Sequence, residues 1–573
     1  MARSQKRKSG SKRKKRTVPA QSPTQPAPLS ALASQASAFL NQGKFVEAMA
    51  VAEQNLAVHH RDGPLHYLAG LAAHQLQDLP RAMALIEQAV DLMPSDLDVR
   101  RQLGAIQHQA GRADLALATY RALVASAPQA TSAEDHYRLA VLLQDAGEQQ
   151  SAKVEYEQAL ARGPAFPDAL LGLGNALRHQ GELLDAAKAY REALELAPTN
   201  VACANNLGSV LLELEALDEA QLAYERALQL APEHIGGWSN LGLVFQRKGQ
   251  PERAVEAFVR ARDLSPNDPR SELALGHSLQ MSGDLDAAQA SYELALTKLA
   301  PDDPFLTDIR GKLFGRLADV EMQRGTPDRG LDICQQFLAQ HPGDSSLLAV
   351  SAMCQNERGE SSATDRLLNF DRLIFAHDVE TDEGVAALNR RLASHVLEHP
   401  SLDYAPDQHA TRKGMHSGDL FAGDVGPIET LTQHVWQAAR LYVARLSDAD
   451  PDHPTLAFRP ARSRLRIWGV VMRDGGHQIP HIHPAAWLSG VYYPQLPTFM
   501  KHADDGELGW IEFGQSPEEF HHRKPMPTRT YRPEEGRMFL FPGYFYHRTV
   551  AYDRDEVRIS IAFDFVAGDD VAL

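Results

Sequence analysis

Cysteine is scarce: 573 residues contain three, Cys203, Cys334 and Cys354, far apart and none near the paired histidines described below. That excludes a disulfide framework and a cysteine-based zinc motif, and it fits a reducing interior. No run of eighteen apolar residues occurs, so no membrane span is expected. The N-terminus is charged but has no apolar stretch behind the charges, so it does not read as a secretory signal. These absences predict a cytoplasmic protein. Acidic side chains are missing from residues 1–28, which hold nine basic ones, whereas the remainder carries 49 basic against 74 acidic residues. With Pro19, Pro23, Pro26 and Pro28 discouraging helix, this segment reads as a disordered basic tail. It serves either solubility or contact with an anionic partner.

The remaining chain is too long for one core. From 29 to 365 it repeats itself. Windows of 34 residues starting at Pro167, Val201 and Ile235 align without gaps. Gly174, Gly208 and Gly242 fill the eighth position, Ala186, Ala220 and Ala254 the twentieth. Tyr190, Tyr224 and Phe258 stand at the twenty-fourth, and Pro198, Pro232 and Pro266 close the units. Small residues let two helices approach, the aromatic fills the space beside them, and the proline ends the second helix. Period and pattern match the tetratricopeptide repeat. Worn copies extend outward, through Gly70, Gly104 and Ala140 on one side and Gly276 on the other, giving about ten units. The resemblance implies an all-α superhelix whose groove holds a protein or peptide partner. Asn206 and Asn240, at equivalent positions in adjacent units, are either bonds to such a peptide or exposed polar residues.

The repeat template disappears after Asp365, and residues 366–573 are assigned to one domain. Helical patterns cover Gly384–Leu397 and Ile428–Leu446, separated by a polar loop around Thr411–Phe421 whose His416 either enters the active site or, the preferred reading, lies on the surface. From Arg464 the pattern shifts to strands: Leu465–Met472, a histidine strand after Asp474-Gly475-Gly476, Ser489–Tyr493, Trp510–Phe513, Arg537–Phe541, Tyr544–Val550 and Val557–Phe565. An α+β layered domain is expected, a sheet pair or squashed barrel with helices on one side.

Within it, His481 and His483 stand two apart, His547 lies 64 residues later, and Arg558-Ile559-Ser560 follows. Paired imidazoles, a third on a partner strand and an arginine beyond suit a mononuclear metal that binds an anionic cosubstrate. The segment resembles the double-stranded β-helix (jelly-roll) of Fe(II)/2-oxoglutarate-dependent oxygenases, in particular those that follow tetratricopeptide repeats in bacterial proteins. The resemblance implies Fe(II) held by His481, His483 and His547. It also implies 2-oxoglutarate held by Arg558 with Ser560 and, by strand position, Tyr493. Dioxygen would be the oxidant, with ascorbate as an accessory reductant.

His483 departs from the family pattern, which has a carboxylate there. The alternative is therefore a non-catalytic repeat scaffold with an inactive or structural metal-binding β-barrel. A cupin reading accounts for the histidine pair and for Gly536, Pro542, Gly543 and His547. It lacks the expected glutamate, since Trp487 and Leu488 occupy that place, and leaves Arg558-Ile559-Ser560 unexplained. A competing role for Arg558 is a salt bridge to Asp553, Asp555 or Glu556. Glu512, the one acid on an expected strand near the site, is either a substitute ligand or, the preferred reading, an outward-facing strand residue.

Overall fold

The computed structural model describes residues 31–299, 304–405, 409–501 and 506–571. The basic tail lies outside them. Among the described residues twenty helices, α1 (Ala31–Asn41) to α20 (Ser361–Leu368), pair as helical hairpins, and a short α21 (Phe370–Leu373) follows before the first strand. By compactness the chain divides into two units, one ending at Thr131 and one spanning Ser132–Leu573.

The first unit holds three hairpins. An added Cβ at Gly70 would stand 2.5 Å from Ile86, and one at Gly104 would stand 2.6 Å from Tyr120, so glycine is required where the large side chain lies flat. Asp62, Asp78 and Asp96 cap helices by accepting main-chain N–H bonds, satisfying donors that a helix start leaves orphaned.

In the second unit the same device recurs. A Cβ at Gly174, Gly208 or Gly242 would lie 2.5, 2.8 or 2.7 Å from Tyr190, Tyr224 or Phe258. Those three aromatics and Ala186, Ala220 and Ala254 are buried. The glycine–aromatic pair expected from spacing is the packing observed. Asn206 is internal to the array: its Nδ2 donates to Asn175 Oδ1 at 3.0 Å, and the Tyr190 hydroxyl donates to the same oxygen at 2.7 Å.

Ten strands follow: β1 (Phe375–Asp378), β2 (Asp403–Tyr404), β3 (Thr411–His416), β4 (Ser463–Gln478), β5 (Leu488–Gln495), β6 (Ile511–Phe513), β7 (Arg529–Tyr531), β8 (Arg537–Pro542), β9 (His547–Thr549) and β10 (Arg558–Ala567). Among the described residues they form an antiparallel seven-stranded sheet, β1-β8-β5-β10-β4-β3-β2, and a three-stranded one, β7-β6-β9. Helices α22 (Val385–Glu398), α23 (Ile428–Ala449) and α24 (Pro454–Ala457) interrupt the strands. Leu388, Leu392 and Val396 of α22 and Val435 and Tyr442 of α23 share one core with Ile559, Ile561, Phe563 and Phe565 of β10. The expected layering of helices behind a sheet is present.

Two local expectations need correction. The stretch predicted as a loop begins with β3, a polar edge-side strand without the β-branched run that signals one. The histidine pair is not on a ladder strand. β4 runs on through the glycines to Gln478, and His481 and His483 follow in an extended segment between Pro480 and Pro484, which lack the N–H a ladder needs.

The last repeats and the strand region share an interior. Leu348, Ala349 and Ala352 of α19 (Ser345–Arg358) belong to the core just described. The Ser345 hydroxyl donates to Ala486 O at 2.9 Å. On α17 (Pro304–Arg324), Arg316 pairs with Glu519 and Asp319 accepts His521 N–H at 2.7 Å. Further back, His179 on α9 (Pro167–His179) meets Asp403 of β2 at 2.6 Å.

Candidate metal centre and anion pocket

The three histidines converge. One ring-nitrogen or other ligand atom from each of His481, His483 and His547 lies within 4.8 Å of the others, the one such metal-competent group among the described residues. Main-chain pairing brings them together. His481 N–H donates to His547 O at 3.1 Å and His547 N–H returns a bond at 3.0 Å, while His483 N–H bonds Gly543 O at 2.9 Å. A Cβ at Gly543 would lie 2.0 Å from Ala486 O. Only glycine lets the turn after β8 come this close, which accounts for the Phe541-Pro542-Gly543 motif.

Each ring has its Nδ1 engaged: His481 with Ile479 O at 2.8 Å, His547 with Phe545 O at 3.0 Å, His483 with Asp564 Oδ1 at 2.5 Å. A carbonyl or carboxylate acceptor makes Nδ1 the protonated nitrogen, leaving Nε2 as the ligand atom. Burial and the neighbouring His483 push His481 down to about 3, and burial with His481 and His483 holds His547 well below its ordinary value. Neutral imidazoles are what a divalent ion requires.

The anion end lies on β10 and β5. Strand alternation puts Arg558, Ser560 and Ala562 on the cavity face, with Asp564 continuing it, and Ile559, Ile561 and Phe563 in the core. Arg558 is 2% exposed and faces no carboxylate among the described residues; Nη1 touches Met472 Sδ at 3.6 Å and Nε has no partner. The competing salt bridge is not formed, and Glu556 instead accepts from Thr498 N and Oγ1 at 2.6 and 2.7 Å. Tyr493 lies beside it, its ring centroid 5.2 Å from the guanidinium carbon, its hydroxyl buried without a closed hydrogen bond. Burial raises that hydroxyl to about 12 against the opposing pull of Arg558, so it stays a donor. Tyr492 points away and bonds Asn389 on α22. Glu512 pairs with Arg548 and takes no part in the triad.

Sequence reasoning missed Asp564, and for His416 it preferred the surface over the active-site position it also allowed. The period-2 register from Arg558 through Ser560 and Ala562 was the available signal for Asp564. His416 lines the cavity rather than the surface. Its ring stacks on Trp468 at 6.2 Å, Trp468 lies 5.6 Å from His483, and burial chiefly brings His416 down to about 4.

The cavity measures about 1240 Å³. Its wall includes repeat residues: Leu243 and Gln246 of α13 (Ile235–Arg247), Leu273 and His277 of α15 (Pro269–Met281), and Arg316. Pro517 and Phe520 line it from the segment docked on α17.

Fold and site together define a helical-repeat protein whose antiparallel β region carries a histidine triad, one ring buried and two half-buried, fit for a metal. Comparison with known families gives the same two parts. Tetratricopeptide repeats are matched within residues 33–304, and residues 466–564 match the family described as "Putative 2OG-Fe(II) oxygenase". That family implies Fe(II) and 2-oxoglutarate. No curated protein matches the chain. Among solved structures, YrrB, described as a TPR protein with an unusual peptide-binding site, is 22% identical over 32% of this chain and 92% of its own, with a TM-score of 0.30. A tetratricopeptide repeat protein from Parabacteroides merdae is 20% identical over 41% and 91%, with a TM-score of 0.35. The C-terminal part of a repeat protein from Cytophaga hutchinsonii is 16% identical over 43% and 97%, with a TM-score of 0.38. No described helix is long and apolar enough to cross a membrane.

Proposed function

We propose that this protein is an Fe(II)/2-oxoglutarate-dependent hydroxylase whose repeat array recruits a protein or peptide substrate. In this reading residues 366–573 are the oxygenase domain, a double-stranded β-helix, and residues 29–365 the recruiting array, in a cytoplasmic setting. The observation that carries it is Arg558. A guanidinium 2% exposed and without a carboxylate is costly unless an anion completes the site. The distal carboxylate of 2-oxoglutarate is that anion, received by the two-pronged face of Arg558 and by the Ser560 and Tyr493 hydroxyls. His481, His483 and His547 hold the iron through Nε2. When bound, the iron couples oxidative decarboxylation of 2-oxoglutarate by dioxygen to substrate hydroxylation, releasing succinate and CO₂; ascorbate supports it as a reductant. The protein's own part is to orient the diacid, keep the imidazoles neutral and exclude water.

Recruitment is supported by the cavity wall. At about 1240 Å³ the cavity exceeds the roughly 300–1,000 Å³ typical of small-ligand pockets, leaving room for a substrate beside a five-carbon diacid. The basic tail is assigned an anionic partner. A second reading, a scaffold whose barrel holds a metal without turnover, rests on His483 standing where the family has a carboxylate.

Calorimetric titration of 2-oxoglutarate, with an inert divalent ion bound, tests the reading. A charge-assisted bond is worth about 1.5–3 kcal/mol, so Arg558→Ala should weaken cosubstrate at least roughly tenfold and Arg558→Lys by less, with metal affinity unchanged. A lowered melting temperature with an unaltered titration returns Arg558 to a structural role. No 2-oxoglutarate binding by the parent leaves the scaffold.

A further inference from the structure

The three imidazoles differ in what holds them. His481 and His547 each give Nδ1–H to a main-chain carbonyl two residues before, an arrangement any extended segment provides. His483 gives it to a side-chain carboxylate 81 residues away, Asp564 Oδ1, at 2.5 Å. Asp564 is 7% exposed. Arg466 stands opposite it across β4 and β10, but no lysine or arginine among the described residues comes within 4 Å of the carboxylate; it is held by His483 and by the Ser489 hydroxyl, which donates to the same oxygen at 2.7 Å. Ser489 and Asp564 are direct partners across β5 and β10, so the sheet register holds the carboxylate in place. A buried carboxylate held by one imidazole and one hydroxyl favours positive charge at that ring, and a cation at the ring's far nitrogen would supply it.

We propose that Asp564 is the positioning residue of the metal centre. Through His483 it supplies, one imidazole removed from the ion, the negative charge that a facial carboxylate would supply directly. The proposal rests on reading the triad as the metal site. It explains how a histidine stands at the carboxylate position without leaving the site one unit more positive: the charge has moved outward by the width of a ring. Such outer partners orient the ring and raise ligand basicity, and their loss typically costs about 10–100-fold in metal affinity.

The test is anaerobic titration of the full chain with Co(II), read by calorimetry and by the visible Co(II) bands, beside the melting temperature of the metal-free protein. Asp564→Asn keeps the shape but loses the charge. It should weaken Co(II) about 10–100-fold and shift the bands. Ser489→Ala, which loosens the carboxylate without removing it, should lose a few-fold and serves if Asp564→Asn does not fold. The deciding comparison uses His483→Asp, which returns the carboxylate to the metal. In that background Asp564→Asn should leave affinity unchanged or improve it, because two adjacent carboxylates repel. Equal losses in both backgrounds, or parent-like affinity for Asp564→Asn, overturn the proposal. A parent that binds Co(II) but not 2-oxoglutarate defeats the oxygenase reading and leaves this one standing, whereas a parent without metal affinity defeats both.

Discussion

Repeats and strand region solve the same packing problem at different ranges. In the repeats, the contact that closes a hairpin joins residues sixteen apart, as Gly208 meets Tyr224, and is made again in the next unit by Gly242 and Phe258. In the strand region the decisive contacts are distant: His481 with His547 and His483 with Asp564, while α19 joins the core that β10 faces. Local contacts make damage local, since each repeat leans only on its neighbours. Distant contacts make the site an all-or-none product of the sheet.

Truncation presses that contrast hardest. A fragment beginning at 366 lacks Leu348, Ala349 and Ala352 of the shared core and the Arg316 and Asp319 contacts to the 519–521 segment. It should aggregate or lack a cooperative melting transition, while one beginning at Pro304 should retain both the transition and metal affinity. A cooperative, metal-binding 366–573 fragment would show that the strand region stands alone.

Tyr224→Ala should have the next largest effect. Emptying a fully buried aromatic site costs about 3–5 kcal/mol, here confined to neighbouring units. Hydrogen exchange should rise in helices around 201–264 while Co(II) affinity stays at the parent value. Loss of metal affinity would couple the two regions more tightly than the packing implies.

The smallest effect concerns His277, a repeat residue on the cavity wall. Burial, then Arg316, lowers it to about 4 from an ordinary 6.5, with Glu519 opposing. Its folded value is depressed, so its stability contribution is present above pH 6.5 and is lost as pH falls toward 4. Denaturation midpoints at pH 7 and 5 should fall more steeply for the parent than for His277→Gln. The difference is bounded at about 1.4 kcal/mol per pH unit for one proton. Parallel slopes would mean that His277 is solvated.

Much of this was legible beforehand because it is periodic. The repeat is written in glycine, alanine and aromatic spacing, and α22 and α23 in helical patterning. Arg558 and Ser560 share a face by strand alternation. Strands β1, β2, β3 and β7 escaped notice because two to six residues at or beside a sheet edge carry too little alternation to register.

By itself, then, the sequence determined the repeat architecture, the order of the three histidines and the arginine after them, since each is a pattern of residue type against position. Only the tertiary structure decided that Arg558 meets no carboxylate among the described residues, that Asp564 backs His483, and that α13, α15 and α17 wall the cavity. Those are facts of proximity between residues tens to hundreds of positions apart. No local preference records them, because sheet register and helix docking bring such residues together only when the whole unit folds.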